Sequence, residues 1–160
     1  MNNAFDMKAW CKMRGQLQLR TKAVAVPEFA HLFKAGEPAE FEVRQLTGDE
    51  YARVEEERQK VGNLELLLNS GTLPAEAVQQ IAAVLGLYSS NDIPANSARR
   101  IEALKIVFPE FERADIVQWN KFFPMVVWRL SETIFELTGQ GAVFAEKKPV
   151  RSMATTESAI

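Results

Sequence analysis

The feature that most constrains the fold is an apolar segment near the end of the sequence, residues 114–138. At about 100° per residue, many of its apolar side chains fall on one broad stripe, which is typical of a helix that packs against a core. This stripe comprises Ile116, Trp119, Phe123, Val126, Val127, Leu130, Ile134 and Leu137. Pro124 lacks a backbone N–H and clashes with the preceding turn. The segment is therefore either one helix or two helices, with Pro124 in the first turn of the second.

A second set of apolar side chains lies outside this stripe. Val117, Trp128 and Phe135 share a different face, Met125 lies further round, and Phe122 lies on the opposite flank. A helix that is apolar on nearly all sides is either buried centrally or offers one face to another molecule. One interpretation is that the domain itself covers both faces. The other is that these five residues form a partner-binding surface, in which Trp128 and Phe135 anchor a partner or a second subunit.

The sequence before this segment predicts a small β element followed by helices. Polar and apolar residues alternate over 16–26 and again over 40–46, as in antiparallel strands, and Thr47 and Glu50 then form a capping box that marks a helix start. The helices predicted from three- and four-residue spacing span 48–71, 72–87, 95–108 and 114–138, the last closing at Thr138-Gly139. Because glycine costs about 1 kcal/mol inside a helix, Gly62 leaves two shorter helices as an alternative for the first.

These elements predict a mainly α fold with a small N-terminal antiparallel β element (α+β), forming a compact helical domain. The single domain spans residues 16–143, with the β element over 16–46 and helices over 48–138. Residues 1–15 show no clear pattern. Residues 144–160 contain few large apolar side chains and cannot offset the entropy cost of ordering, so we expect a mobile polar tail there.

The composition gives little support for catalysis or metal binding. The 160-residue chain has one cysteine, Cys11, which excludes an internal disulfide or a cysteine metal cluster, and one histidine, His31. We expect Cys11 to be inert or buried and His31 to be a packed or surface residue. No glycine-rich phosphate loop is present. We therefore expect a non-enzymatic protein without cofactor or metal, with an enzyme that uses carboxylates alone as the alternative.

The charge pattern also argues against nucleic-acid and membrane partners. The net charge is −2, and acidic residues follow the pair Arg99-Arg100, so a basic stripe for DNA is lacking. We expect the acidic run over 55–57 to form a solvated helix face. The longest uninterrupted apolar run, 122–128, is far shorter than the roughly 20 residues that span a membrane.

Two motifs stand out for their order along the chain. The first, R-x-L-T-G-x-E at the start of the first helix, consists of Arg44, Leu46, Thr47, Gly48 and Glu50. The second is a helix with an Arg-Ile start, an acidic turn with aromatic residues, an Asp-Ile helix start and a helix ending in Thr-Gly. It consists of Arg100, Ile101, Phe108, Phe111, Asp115, Ile116, Thr138 and Gly139. In this order the motifs resemble the tail assembly chaperones of long-tailed, siphovirus-like bacteriophages, over residues 20–143.

The resemblance implies a function. A tail assembly chaperone binds the phage tape measure protein, keeps its apolar stripes in solution and helps tail tube subunits assemble around it, in the host bacterial cytoplasm. Homo-oligomerisation is compatible with this role. The segment 63–86 departs from the shorter or more charged connection of the family, and residues 1–15 have no counterpart in it. The alternatives are a structural tail or head–tail connector protein of the virion, or a small phage-encoded inhibitor or adaptor that binds a host complex.

The tail suggests one further hypothesis. Such chaperones often occur in a short form and in a longer form made by a minus-one ribosomal frameshift. Glu146-Lys147-Lys148 can be encoded as GAA-AAA-AAG, which contains the slippery string A-AAA-AAG. Translation would slip there and replace the last residues with a second domain. The alternative is an ordinary charged tail.

Overall fold

The computed structural model describes residues 4–84 and 95–145, and these divide into two compact units. The first unit joins residues 4–18 with residues 143–145, and the second comprises the described part of residues 19–142. The end of the helix predicted over 72–87 and the slippery site at 146–148 lie outside the described residues. So do residues 146–160 of the tail predicted over 144–160, whereas Phe144 of that tail lies in a strand paired with Leu17. The predicted domain boundaries at residues 16 and 143 stay predictions.

The first unit contains a short helix and a small antiparallel ladder. Helix α1 spans Met7–Met13 and begins at Asp6, whose carboxylate accepts hydrogen bonds of 3.0 Å from the backbone N–H groups of Lys8 and Ala9. A 3₁₀ turn over Arg14–Gln16 leads into strand β1, Leu17–Gln18. This strand pairs with Val143–Phe144. An aspartate at the N-cap thus accounts for a helix in a region where apolar spacing gave no clear pattern.

The second unit consists of a two-stranded antiparallel sheet and five helices. Strand β2 (Thr21–Ala25) pairs with β3 (Glu40–Arg44), with Thr21 opposite Arg44, and a 3₁₀ helix over Pro27–Leu32 lies between them. The helices are α2 (Gly48–Asn69), α3 (Ala75–Val84), α4 (Ala95–Val107), α5 (Arg113–Phe122) and α6 (Pro124–Gln140). The predicted fold class, mainly α with a small antiparallel β element, is confirmed.

The alternation over 16–26 is not one strand. Residues 17–18 pair with Phe144 and Val143, whereas residues 21–25 pair with β3, so the run belongs to two ladders. The chain changes partner at Arg20, whose backbone N–H donates to Gln45 Oε1 at 2.8 Å. Alternation along one strand shows which side chains share a face, but it cannot show that its two halves pair with different strands.

The core of the second unit lies between α4, α6 and the inner face of the sheet. The predicted stripe of the last segment is buried at six positions: Ile116, Val126, Val127, Leu130, Ile134 and Leu137. Its other two members, Trp119 and Phe123, are half-buried and partly exposed, respectively. Val24 and Val43 of the sheet and Val26, which follows β2, reach the same core. Helix α4 is also deeply enclosed, with Ile101, Ala103 and Leu104 all fully buried.

The sheet, α2 and α6 meet at one junction. Thr47 and Glu50 form the predicted capping box at the start of α2, with Thr47 Oγ1 accepting the Glu50 N–H at 3.3 Å and Glu50 accepting the Thr47 N–H at 3.0 Å. Arg44 at the end of β3 donates two hydrogen bonds, of 2.7 and 2.9 Å, to the Glu50 carboxylate. The Leu46 N–H donates to Thr138 Oγ1 of α6 at 2.9 Å. Helix α2 then continues past Gly62 as one helix.

The last apolar segment forms two helices, as one of the two readings of Pro124 allowed. Phe123 has φ −132° and ψ 58°, which is not helical, and α6 begins at Pro124.

Helix α6 ends two residues later than predicted. Gly141, with φ +77°, terminates it, and its N–H donates to the carbonyls of Leu137 and Thr138 at 3.2 Å. Gly139 has no positive φ. The prediction of Gly139 as the stop was wrong because spacing shows that a glycine is present but not which one adopts the left-handed conformation.

The acidic run on α2 is not a fully solvated face. Glu55 accepts hydrogen bonds of 2.9 Å from both Arg58 and Arg99, and Glu57 accepts one of 3.1 Å from Arg113. Glu56 alone of the three is exposed. Burial raises the pKa of Glu55, but the hydrogen bonds from the two arginines outweigh that effect and lower this pKa overall. The expectation for 55–57 therefore fails at two positions, since α4 packs against α2 and Arg113 at the start of α5 reaches Glu57.

No helix in the described ranges is both long enough and apolar enough to cross a membrane.

The junction predicts a pH-dependent contribution to stability. Hydrogen bonds from Arg44 lower the pKa of Glu50 from 4.5 to about 2, so the carboxylate stabilises the fold above its unfolded pKa and loses this effect as the pH falls towards 2. We expect Glu50→Gln to lower the free energy of unfolding by about 1–2 kcal/mol at pH 7. Urea denaturation should show this difference shrinking between pH 5 and about 2. A difference that does not vary with pH would contradict the assignment. Glu56→Gln, at an exposed position, is the control.

Candidate functional site

Seven aromatic rings from separate elements meet on one side of the second unit. We call this set the aromatic cluster. It comprises Phe29, Phe33, Phe41, Phe108, Phe111, Trp119 and Phe123. Neighbouring ring centroids lie between 4.9 Å (Phe111 and Trp119) and 6.1 Å (Phe41 and Phe111), which is the range for favourable aromatic pairs. The rings are therefore packed together rather than scattered over the surface.

Phe41 lies at the centre of the cluster. It is on β3, opposite Val24 of β2, and its ring stacks on Trp119 of α5 at 5.9 Å with an interplanar angle of 24°. The other rings in contact with it are Phe33, Phe108 and Phe111. Phe41 thus joins the sheet to the ends of α4 and α5.

The turn between α4 and α5 is held by a lysine. Lys105 Nζ donates to the carbonyl oxygens of Pro109 at 3.1 Å and Phe111 at 2.8 Å. Pro109 stops α4 because it cannot continue the hydrogen-bond ladder. Phe108 and Phe111 stand at the two sides of this turn, with centroids 6.0 Å apart. The lysine therefore fixes the position of Phe111 relative to the rest of the cluster.

The 3₁₀ helix that carries Phe29 is tied to α6. Arg129 donates to Glu28 at 2.8 and 3.3 Å and to the Ala25 carbonyl at 2.9 Å. The hydrogen bonds from Arg129 to the Glu28 carboxylate lower the pKa of Glu28. Phe29, next in the chain, is buried and contacts both Trp119 (5.3 Å) and Phe123 (5.0 Å).

A groove opens in the surface of the aromatic cluster. We call it the aromatic groove. Its volume is about 220 Å³, and it is lined by Phe29, Leu32, Phe33, Phe41, Phe111 and Trp119. Leu32 is 72% exposed, so an apolar side chain stands free at the groove. An apolar cavity of about 150 Å³ suffices to hold benzene, so this groove is large enough for one bulky apolar side chain. The lining carries no charged residue, which suits an aliphatic or aromatic group.

The five residues of the predicted partner surface are divided between two helices. Val117 and Phe122 lie on α5, whereas Met125, Trp128 and Phe135 lie on α6. Met125, Trp128 and Phe122 are exposed, while Val117 and Phe135 are half-buried against the core. The break at Pro124 separates the two groups in the backbone. Their role in binding stays a prediction.

The three residues on α6 share one stripe. Together with Glu132 and Gly139 they recur at steps of three and four, and we call the set Met125, Trp128, Glu132, Phe135 and Gly139 the α6 seam. Two arginines of α4 border it. The Arg100 guanidinium lies 5.8 Å from the Trp128 ring centroid, and that of Arg99 lies 4.0 Å from the Phe135 ring centroid. Both arginines thus contact aromatic rings of the seam within the protein.

A second cavity lies at the end of the α6 seam. It has a volume of about 270 Å³ and is lined by Tyr51, Arg99, Phe135, Thr138 and Gly139.

Two further residues singled out in the sequence lie at the surface. His31 is exposed, and so is Cys11, which corrects the expectation that it could be buried. Cys11 lies on α1, none of whose residues is buried, because this short helix has no core of its own to cover. In the described part of the chain, no group of three or more His, Cys, Asp or Glu side chains is arranged to hold a metal ion.

Sequence reasoning missed the aromatic groove. Its residues come from two separate stretches of the chain, 29–41 and 111–119, and only their proximity in space makes a site. A weak signal was present in the spacing of Phe29 and Phe33, four residues apart, and of Phe108 and Phe111, three apart.

The chain matches no known protein-family model, no curated protein and no solved structure.

The cluster predicts unequal effects of two matched substitutions. Phe41→Ala removes the central ring and its contacts with the sheet, α5 and the turn, so we expect it to lower the free energy of unfolding by about 3–5 kcal/mol. Phe33→Ala removes a ring that, in the described part of the chain, contacts no aromatic ring except Phe41, and should cost less than half as much. Urea denaturation followed by far-UV circular dichroism measures both. Equal losses would mean that Phe41 is not the centre of the cluster.

Proposed function

We propose that this protein is a non-enzymatic tail assembly chaperone of a long-tailed bacteriophage. In this role it binds apolar helical segments of the tape measure protein in the host bacterial cytoplasm and promotes assembly of tail tube protein around them. The observation that carries the proposal is the aromatic groove, an open apolar site without charged lining. The order of the two motifs around Arg44–Glu50 and Arg100–Gly139 supports the choice of family.

The chemistry of the groove favours an amphipathic helix as the ligand. Helices that bind in grooves present apolar anchors at i, i+3, i+4 and i+7, and each anchor needs a pocket of its own. The groove provides such a pocket, and Leu32 provides exposed apolar surface beside it. Aromatic walls suit this task because their side chains have few rotatable bonds and lose little entropy when they bind.

The size of the groove favours weak and reversible capture. Full burial of one large apolar side chain contributes about 1.5–3 kcal/mol, which is far below what a stable one-to-one complex needs. A chaperone must release its ligand when tube subunits replace it, so a weak site repeated along a long helical partner suits the task. A permanent virion component would need a larger interface than this groove alone offers.

A rim substitution tests the groove. Leu32→Glu places a carboxylate at the apolar site, and we expect it to weaken co-purification with the encoded tape measure protein about tenfold or more, because binding would bury an unpaired charge. Leu66→Glu is the matched control, since Leu66 is equally exposed, at 70%, but lies on α2 and does not line the groove. Co-expression followed by quantitative pull-down measures the effect. Equal binding by the two variants would contradict the role of the groove.

The pull-down and an examination of purified phage particles together separate the competing functions. A structural tail or connector protein would remain in purified phage particles, whereas a chaperone is absent from them. An inhibitor or adaptor would co-purify with a host complex and not with the tape measure protein. Mass spectrometry of purified particles and of the pull-down therefore decides among the three.

A longer product provides a second, independent test of the family. If translation slips at the codons of Glu146-Lys147-Lys148, infected cells contain a minor protein that shares this N-terminus and continues in the minus-one frame. Intact-mass measurement after capture through an N-terminal tag would detect it. Synonymous recoding of these three codons should abolish the longer product and leave the 160-residue form unchanged. A single product under both conditions would remove this support for the chaperone proposal.

A further inference from the structure

The two ends of the α6 seam have opposite shapes. At one end Met125 and Trp128 project from the surface, with 60% and 48% of their area exposed. At the other end is the cavity of about 270 Å³ between Phe135, Gly139 and Tyr51. Gly139 has no side chain, so its position on the helix leaves room for a side chain from another molecule. The α6 seam thus has projecting side chains at one end and a cavity at the other.

We infer that the α6 seam binds a second copy of this chain in an antiparallel, two-fold symmetric dimer. Glu132 is the middle residue of the seam, and Met125 and Gly139 are each seven residues from it, or about 10 Å along the helix. A two-fold axis near Glu132 therefore brings the projecting end of one copy to the hollow end of the other, twice. This is the isologous pattern, in which one surface is complementary to itself.

The charges on the seam favour a second copy over an unrelated apolar helix. Arg100 donates to Glu132 at 2.8 Å and to Ser131 at 2.8 Å, while the Glu132 side chain remains 46% exposed. An apolar partner would bury this carboxylate with part of its hydrogen-bonding capacity unfilled, which is costly. A second copy instead brings its own Arg100 beside the axis, so that two arginines neutralise two glutamates.

The extent of the seam sets the strength of this dimer. The fifteen residues from Met125 to Gly139 span about 21 Å of helix, and a contact along this one helix buries less surface than the roughly 800 Å² per partner of a standard complex. We therefore expect a dimer that dissociates on dilution rather than an obligate one. The inference is independent of the proposed function, because no residue of the seam lines the aromatic groove.

Sedimentation velocity over a series of concentrations tests the dimer on the full chain. The expected result is a monomer–dimer equilibrium whose dissociation constant rises about tenfold or more in Trp128→Lys and in Met125→Lys. Leu66→Lys, at an even more exposed apolar position on α2, should leave it unchanged. Circular dichroism checks that each variant is folded. If Trp128→Lys does not fold, Met125→Lys alone carries the test.

A charge exchange makes the test specific to the two-fold arrangement. Glu132→Arg alone should abolish the dimer, because four positive charges then meet at the axis, and Arg100→Glu in the same chain should restore it. In a Cys11→Ser background, Glu132→Cys should be linked to its symmetry mate by a short bis-maleimide, whereas Arg53→Cys on the exposed side of α2 should not. A monomer at every concentration would overturn the inference. It would also be overturned if Met125→Lys impaired tape measure binding without changing the oligomeric state, since the seam would then belong to that partner.

Discussion

Burial of α4 determines how the charged side chains around it must be arranged. The helix is enclosed by α2, α5 and α6, and Glu102 on it is only 8% exposed. A carboxylate at such a position is tolerated only when it is paired and hydrogen-bonded, because its desolvation otherwise costs several kcal/mol. Arg113 at the start of α5 provides the partner and also reaches Glu57 of α2. One arginine thus holds three helices in register and fixes the helix that carries Trp119 to the aromatic groove.

The rotation of α6 explains why its seam faces outward. Val126, Leu130 and Ile134 are fully buried and define the inner face of the helix. At about 100° per residue, the seam lies on the side away from that face, with Arg99 and Arg100 of α4 along one border. Packing of the inner face therefore fixes where the outer apolar residues stand. The exposed positions of Met125 and Trp128 follow from the same periodicity that builds the core.

Features encoded by neighbouring residues could be predicted from the sequence, and features that depend on distant contacts could not. The capping box at Thr47 and Glu50, the core stripe of α6 and the break allowed by Pro124 are local, and the structure contains all three. Glu55 pairs with Arg99 of α4, and Glu57 pairs with Arg113 of α5. These ion pairs depend on which elements approach α2, and the spacing of residues within α2 carries no such information. The aromatic groove is the extreme case, since Phe29, Phe41 and Trp119 are distant in sequence and only the fold joins them. For the candidate site, the sequence therefore indicated excess apolar surface on α6 but gave only a weak sign of the groove, in the spacing of its phenylalanines.

The aromatic groove and the α6 seam would act together in binding if both inferences hold. One aromatic groove binds a single apolar anchor weakly, but a dimer formed through the α6 seam carries two such grooves. When the two grooves of one dimer bind successive segments of the same long helix, the second binding step becomes intramolecular. The overall affinity then rises far above that of either groove. Dilution or competition that splits the dimer would return each site to weak binding. Reversible dimerisation would therefore let the same small groove both hold a long apolar partner and release it.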